Sequence, residues 1–280
     1  MDAAIAFQRK PGLRGKVAAK LCGSIWPRPQ RSTSGVRAAL AGLVWALGSS
    51  CVAAELRIAA PNAVKEVMSE VAAVYGQTYG HHMQFAWSGS EAIGKRVGEG
   101  EVFDLVINTA HGIDRLTQDG KLVADSRTDF ARSGIGIAVR AGAPHPDVSS
   151  VETLRQALLG AGSIAISSGP SGRYLESLFQ QLGVADQIRP RIKQPPSGAQ
   201  IGDMLARDEA DLGFQQVTEL IHAHGVDYLG PLPAAVQNHT VWSAAVHVAT
   251  PHADAARGLI QLLNAPDSLP SFRKAGMEPI

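Results

Sequence analysis

The apolar positions of this chain change period along its length, and those changes mark out its elements. Leu56 to Ala60 is a short apolar run, and after it Val64, Val67, Val71 and Val74 recur three or four apart, on one face of a helix. Met83 to Trp87 predicts the next strand, and Ile93 and Val97 share a face of a short helix stopping near Gly98. The stretch VFDLVIN, Val102 to Asn108, predicts a buried strand, followed by a helix that stops at Gly120. Further strands are predicted over 135–140, 163–167 and 210–215, with a short one at 189–193, and helices over 151–159, 173–182 and 199–207. A proline-rich turn (GPLPAA), a strand over 241–249 and a closing helix through Ala256, Leu259, Ile260 and Leu263 complete the pattern. Short strands alternating with helices predict an α/β protein built on mostly parallel sheets.

The first 54 residues follow a different logic. Ala38 to Leu47 (AALAGLVWAL) is apolar throughout but only about half the ~20 residues a membrane-spanning helix needs. It follows Arg37 and leads into the small residues Val52, Ala53 and Ala54. A basic flank, a short apolar core and a small-residue exit are the parts of a secretory signal. The expectation is an extension and signal over 1–54, removed on export to the periplasm, with the working chain starting near Glu55. A lipid anchor on Cys51 is weakly supported, because Gly48 stands where such motifs usually carry Leu.

Charge and cysteine sharpen the picture. The whole chain balances 26 basic against 25 acidic residues, which argues against a strongly basic nucleic-acid binder. Eight of those basic residues and one acid lie before Glu55, so the remainder carries about six net negative charges. Cys22 and Cys51 also lie in the extension, which excludes a structural disulfide or a thiolate metal site from the working chain. No cofactor and no metal are expected. Gly134-x-Gly136 lacks the dinucleotide fingerprint, and His222 and His224 stand two apart, on different helix faces.

In open parallel sheets ligands bind beyond the carboxyl ends of the strands, where loops meet helix N-termini. Four polar, glycine-rich junctions meet that description. They supply Asn62 and Ala63, then Ser88 and Ser90, then Ser171, Gly172 and Arg173, then Gln215 and Gln216 as candidate ligand-binding residues. Hydroxyls, amides and helix-start N–H groups make a small-anion site without a full charge. Arg173 adds forked donors suited to a carboxylate. The competing reading is that Ser88, Ser90 and Ser171 are only helix caps. Asp104, inside VFDLVIN, is read as buried and bonded to backbone.

The runs LRIAAPNAVKEVMSEVAAVY, FAWSGSEAIGKRVGEGEVFDLVINT, SGIGIAVRAGAPHPDV, ADLGFQQVTEL and VDYLGPLPAAVQ, in that order, resemble the molybdate-binding-protein group of periplasmic solute-binding proteins of ABC importers. The resemblance covers nearly the whole chain after the extension. It implies the type 2 periplasmic-binding-protein fold: two lobes, here 55–136 with 234–280, and 137–233, and a ligand cleft between them. It also implies a small anionic ligand, ABC permease subunits as partners, and a monomer. In that group uncharged donors hold the oxyanion. One of its serines falls on Ser90. Its first-strand serine falls at Pro61 or Asn62 and its tyrosine near Gln216, so both are absent here, and Arg173 has no counterpart. Those departures, with the segments GFQQVTEL and GVDYLGPLP, are similar to a subgroup that includes aconitate isomerase. Two readings therefore stand. In the first the protein is a receptor for a small oxyanion or carboxylate; in the alternative it is an isomerase of a small polycarboxylate, with Glu91, His111 and Arg173 as candidate catalytic residues.

Overall fold

The computed structural model describes residues 53–280, so all but the last two residues of the expected 1–54 extension lie outside the described residues. The chain first alternates β1 (Glu55–Pro61), α1 (Lys65–Tyr79), β2 (His82–Ser88), α2 (Ser90–Gly98), β3 (Leu105–Thr109), α3 (Ala110–Gln118) and β4 (Thr128–Ser133). It then runs through β5 (Ile135–Arg140), α4 (Val151–Gly160), β6 (Ile164–Ile166), α5 (Pro170–Gln181), α6 (Ala185–Ile188) and β7 (Ile192–Lys193). After these come α7 (Ile201–Ala206), β8 (Leu212–Gln216), α8 (Val217–Leu220) and β9 (Val226–Pro231). It closes with β10 (Thr240–Val246), α9 (Ala253–Leu263), α10 (Leu269–Lys274) and β11 (Glu278–Pro279).

Two sheets result, in the orders β11-β4-β10-β3-β1-β2 and β7-β6-β8-β5-β9. The chain crosses from the first to the second at Gly134 and returns between Pro231 and Thr240. In the first sheet β2, β1 and β3 pair parallel, while β10 runs antiparallel to β3 and β4. In the second, β7, β6 and β8 are parallel and β5 runs against both β8 and β9. The reversed strands β5 and β10 are the two that follow the crossings, so each enters its sheet from the opposite end.

Each sheet is covered on both faces, which is why its inner strands read as continuous apolar runs. One face of the first sheet packs Leu56, Ile58, Leu105, Ile107 and Trp242 against α1 and α9, and the other packs Ala59 and Val106 against Ile93, Ile113 and Leu116. The second sheet has the same arrangement, with Ile164, Ile166 and Phe214 on one side and Ala138, Ala165, Ile201 and Leu205 on the other. Each such aliphatic side chain taken fully from water contributes about 1.5–3 kcal/mol, so both lobes own a core. Local signals agree with this packing: α1 stops at Gly80 with φ +74°, and Ser150 and Thr153 form a reciprocal capping box on α4.

The structure adds β4, β9, β11 and the short helices α6, α8 and α10, which the apolar pattern does not predict. Thr128–Ser133 is half polar, and β9 contains Gly230 and ends in Pro231 at a sheet edge. The third strand begins at Leu105 rather than Val102, because Asp104 turns back to accept from the Arg57 N–H (2.7 Å) and from the Thr250 hydroxyl. Asp104 is thus buried and bonded to backbone. Helix α5 starts at Pro170, three residues before the predicted start, since proline suits the first helical position. Most of 189–193 is a tight 3-10 turn, with only Ile192 and Lys193 paired as strand.

Candidate functional site

The carboxyl ends of β1, β2, β6 and β8 converge on one cleft between the sheets. Its wall is made of Pro61–Ala63, Ser88–Ser90, Ser167–Ser171, Pro196–Ala199, Gln215, Gln216, Glu219 and Trp242. The cleft leaves about 50 Å³ of free space in this closed form. Among the described residues no lysine or arginine belongs to this wall, and Glu219 is its one ionisable residue.

Two helices point their N-termini at the cleft. Helix α2 is preceded by Gly89 and α5 by Gly169, and neither start carries a side-chain cap. The first N–H groups of each helix have no helical acceptor, and both helix dipoles favour negative charge there. The cap reading of Ser90 and Ser171 therefore does not hold, because both lie inside their helices. The Ser171 hydroxyl instead pairs with that of Ser167 (2.9 Å). Asn108 steadies α2 from below, donating to the Ser90 carbonyl at 2.9 Å. The hydroxyls of Ser168 and Ser197 are buried in this wall and have no hydrogen-bond partner. A buried orphan hydroxyl costs about 1–3 kcal/mol, a cost that a bound ligand removes.

The cleft is closed. Asn62 Nδ2 donates to the Gly198 carbonyl at 3.0 Å, joining the β1 end to the 196–199 loop. Gly89 meets the same loop: a Cβ there would lie 2.7 Å from the Gly198 nitrogen, and Gly198 itself holds φ +92°. Two glycines are what this approach requires. Gly172 has a different duty, since a Cβ on it would overlap the Ser167 carbonyl oxygen.

The two glutamines ending β8 are spent on positioning. Gln215 accepts from the Ile201 N–H (2.9 Å) and donates to Glu219 Oε1 (2.8 Å). Gln216 sits at the chain crossing: with Oε1 toward the Thr240 hydroxyl (2.9 Å), its amide nitrogen donates to Ser133 Oγ (2.6 Å) and the Gly134 carbonyl (3.1 Å). Trp242 Nε1 donates to the same Ser133 oxygen at 2.8 Å.

Glu219 is held at Oε1 by Gln215 and by Gln200 (3.3 Å). Burial pushes its carboxyl from the ordinary 4.5 up to about 7, against the two amide bonds that pull it down. The residue keeps an accessible edge on the cleft, yet its carboxyl is desolvated.

Of the residues expected from sequence, Asn62, Ala63, Ser88, Ser90, Ser171, Gln215 and Gln216 line the cleft, and Gly172 and Arg173 do not. Arg173 forms an ion pair with Glu91 and faces an adjoining groove of about 650 Å³ that also holds His111. The groove shares only Ser90 and Pro170 with the cleft. Sequence reading missed Ser167, Ser168, Ser197, Glu219 and Trp242. Ser168 opens the junction that supplies Ser171, Gly172 and Arg173, and Ser167 immediately precedes it. Nothing local marks Glu219, which follows the two glutamines by one helical turn.

A two-lobe α/β protein with an anion-suited cleft at the interlobe strand ends has the type 2 periplasmic-binding-protein fold. The periplasmic molybdate-binding protein of Azotobacter vinelandii superposes with a TM-score of 0.69 over 79% of this chain and 98% of that one, at 20% identity, a likeness of fold alone. The chain belongs to the bacterial extracellular solute-binding protein family, whose model matches residues 56–278. Among characterised relatives, aconitate isomerase of a Pseudomonas species is 32% identical over 231 residues, 80% of this chain and 88% of that protein. The molybdate-binding protein of Escherichia coli K12 is 21% identical over 244 residues, covering 84% and 94%.

Proposed function

We propose that this protein is exported to the periplasm and closes its two lobes on a small carboxylate anion. The observation that carries this reading is the composition of the cleft wall: two helix N-termini, two unpartnered buried hydroxyls, and a single carboxyl in place of any cation. Neutral donors suit an anion. A carboxyl beside them disfavours a fully ionised dianion such as sulfate or molybdate and favours a ligand that can share or exchange a proton. As a receptor the protein would present its ligand to the permease subunits of an ABC importer, in keeping with its family. The alternative, isomerisation of a small polycarboxylate inside the same cleft, is supported by the 32% identity to aconitate isomerase and by Glu219.

The test is thermal unfolding with molybdate, sulfate, citrate, cis-aconitate and trans-aconitate, with Trp242 fluorescence as a second reporter from the cleft wall. A ligand at about 100 times its Kd stabilises by about 2.7 kcal/mol, a rise of roughly 5–10 °C for a chain of this size. The carboxylates should give that rise. A shift with molybdate or sulfate only would overturn the assignment of ligand class.

A further inference from the structure

We propose that Glu219 is the acid–base residue of a proton transfer carried out inside the cleft, on an unsaturated carboxylic acid whose allylic C–H lies next to a carboxylate. This rests on the reading of the cleft as a small-carboxylate site and deepens the isomerase alternative by naming the residue that moves the proton.

The geometry is that of a proton carrier rather than a structural carboxyl. Both amide donors, from Gln200 and Gln215, converge on Oε1, which leaves Oε2 without a protein partner in the wall of the cleft. Gln215 is itself fixed by the Ile201 N–H at the start of α7, so the carboxyl is held in orientation by a supported group. Neutral amides orient the carboxyl without supplying the charge that an arginine or lysine would. Around α8, β8 and the approach to α7 present these two amides, and β9 packs the neutral Tyr228, whose phenol burial pushes up to about 12, in one cluster with Leu220. Among the described residues no charged side chain bears on the Glu219 carboxyl. Its titration is therefore set by burial, near the pH at which a group can both take and return a proton.

The chemistry balances without a co-reactant. Ionised Oε2 takes a proton from the allylic carbon. The C–H electron pair moves into the adjacent C=C–carboxylate system, and the double bond shifts by one position. The negative charge collects on carboxylate oxygens facing the N-termini of α2 and α5 and the Ser168 and Ser197 hydroxyls, donors already in place for it. The protonated Glu219 then gives the proton to the other end of the allyl unit, and rotation within the delocalised intermediate allows the geometry of the product to differ. Nothing is oxidised or reduced. In this scheme Glu91 and His111, which line the adjoining groove, take no part.

The experiment uses the purified protein with cis-aconitate or trans-aconitate in D₂O, followed by proton NMR, alongside thermal and Trp242-fluorescence titration with the same probes. The wild type should interconvert the probes and place deuterium at the methylene carbon, with kcat/KM rising as pH passes about 7. Glu219→Gln keeps the Oε1 contacts and should still bind, while turnover falls by about 10²–10⁴ and the pH dependence disappears. Glu219→Asp, which keeps the acid on a shorter arm, should retain a slower, pH-dependent rate. A Glu219→Gln protein that still turns over, or one that loses binding and turnover in equal measure, would overturn the acid–base role and leave the carboxylate-site reading intact. Carboxylate binding by a wild type that neither interconverts nor exchanges the probes would overturn the inference alone. Failure of every carboxylate to bind would overturn both.

Discussion

Replacing Glu219 by Gln should make the ligand-free protein more stable, and increasingly so as pH rises. The reason is the sign of the shift. In the unfolded chain the carboxyl titrates near 4.5, and in the closed fold burial raises it to about 7. Below 4.5 it is protonated in both states and contributes no penalty. Between 4.5 and 7 the unfolded chain ionises while the folded protein does not, so stability is lost as pH rises through that window. Above 7 the loss is complete, and with a shift of about 2.5 units at 1.36 kcal/mol each it comes to about 3 kcal/mol. At pH 5 the same relation leaves a loss of only about 1 kcal/mol. Gln cannot ionise, and its amide oxygen can still accept from Gln200 and Gln215. Melting of wild type and variant at pH 5 and pH 8, without ligand, is the assay. At about 2–4 °C per kcal/mol, the gain should be a few degrees at pH 5 and roughly 6–12 °C at pH 8. A gain equal at the two pH values, or no gain at pH 8, would refute the claim that this carboxyl is held desolvated in the free protein.

Three further outcomes are expected. Ser168→Ala and Ser197→Ala remove buried hydroxyls that have no protein partner, so the free protein should melt unchanged or slightly higher. Each should weaken carboxylate binding by about 1.5–3 kcal/mol, the range for a hydrogen bond to a charged group, read by titration calorimetry; unchanged affinity would mean the hydroxyl does not face the ligand. Gly89→Ala should fold normally, because Gly89 sits at φ −82°, ψ 153°. It should obstruct contact with Gly198 and raise Kd at least about tenfold, with a larger radius in small-angle scattering of the ligated protein. Arg173→Ala breaks an ion pair with Glu91 in which both side chains are about half exposed. It should cost no more than about 1 kcal/mol in stability and change Kd less than about fivefold; a large loss of affinity would return Arg173 to the ligand set.

The closed cleft also explains why a family built for holding solutes can present a reactive group. The donors that hold an anion are backbone N–H groups and hydroxyls, which are indifferent to the rest of the ligand. The residue that distinguishes one ligand from another can then be a single side chain on the wall. On the proposed reading that place falls to Glu219, which Gln215 and Gln200 hold by hydrogen bonds.

The period of the apolar residues was enough to specify most strands and helices, because each strand buried on both faces must be apolar throughout and each covering helix must be apolar on one side. The junctions holding Asn62, Ser88, Ser90, Ser171 and Gln215 could be picked out, since strand ends and helix starts are local in sequence, but only the tertiary structure brings them to one cleft. The strands β4 and β9 escaped because their pairing partners, not their own composition, make them strands. Arg173 stands apart from the others: one turn into α5 its side chain pairs with Glu91 and lines the adjoining groove rather than the cleft. Ser197 reaches the cleft only because the 196–199 loop folds across onto Gly89 and Asn62. Glu219 is an unremarked acid in a polar stretch of sequence. Its burial and raised pKa come from the cleft wall that packs around it, and desolvation is a property of surroundings that no local pattern encodes.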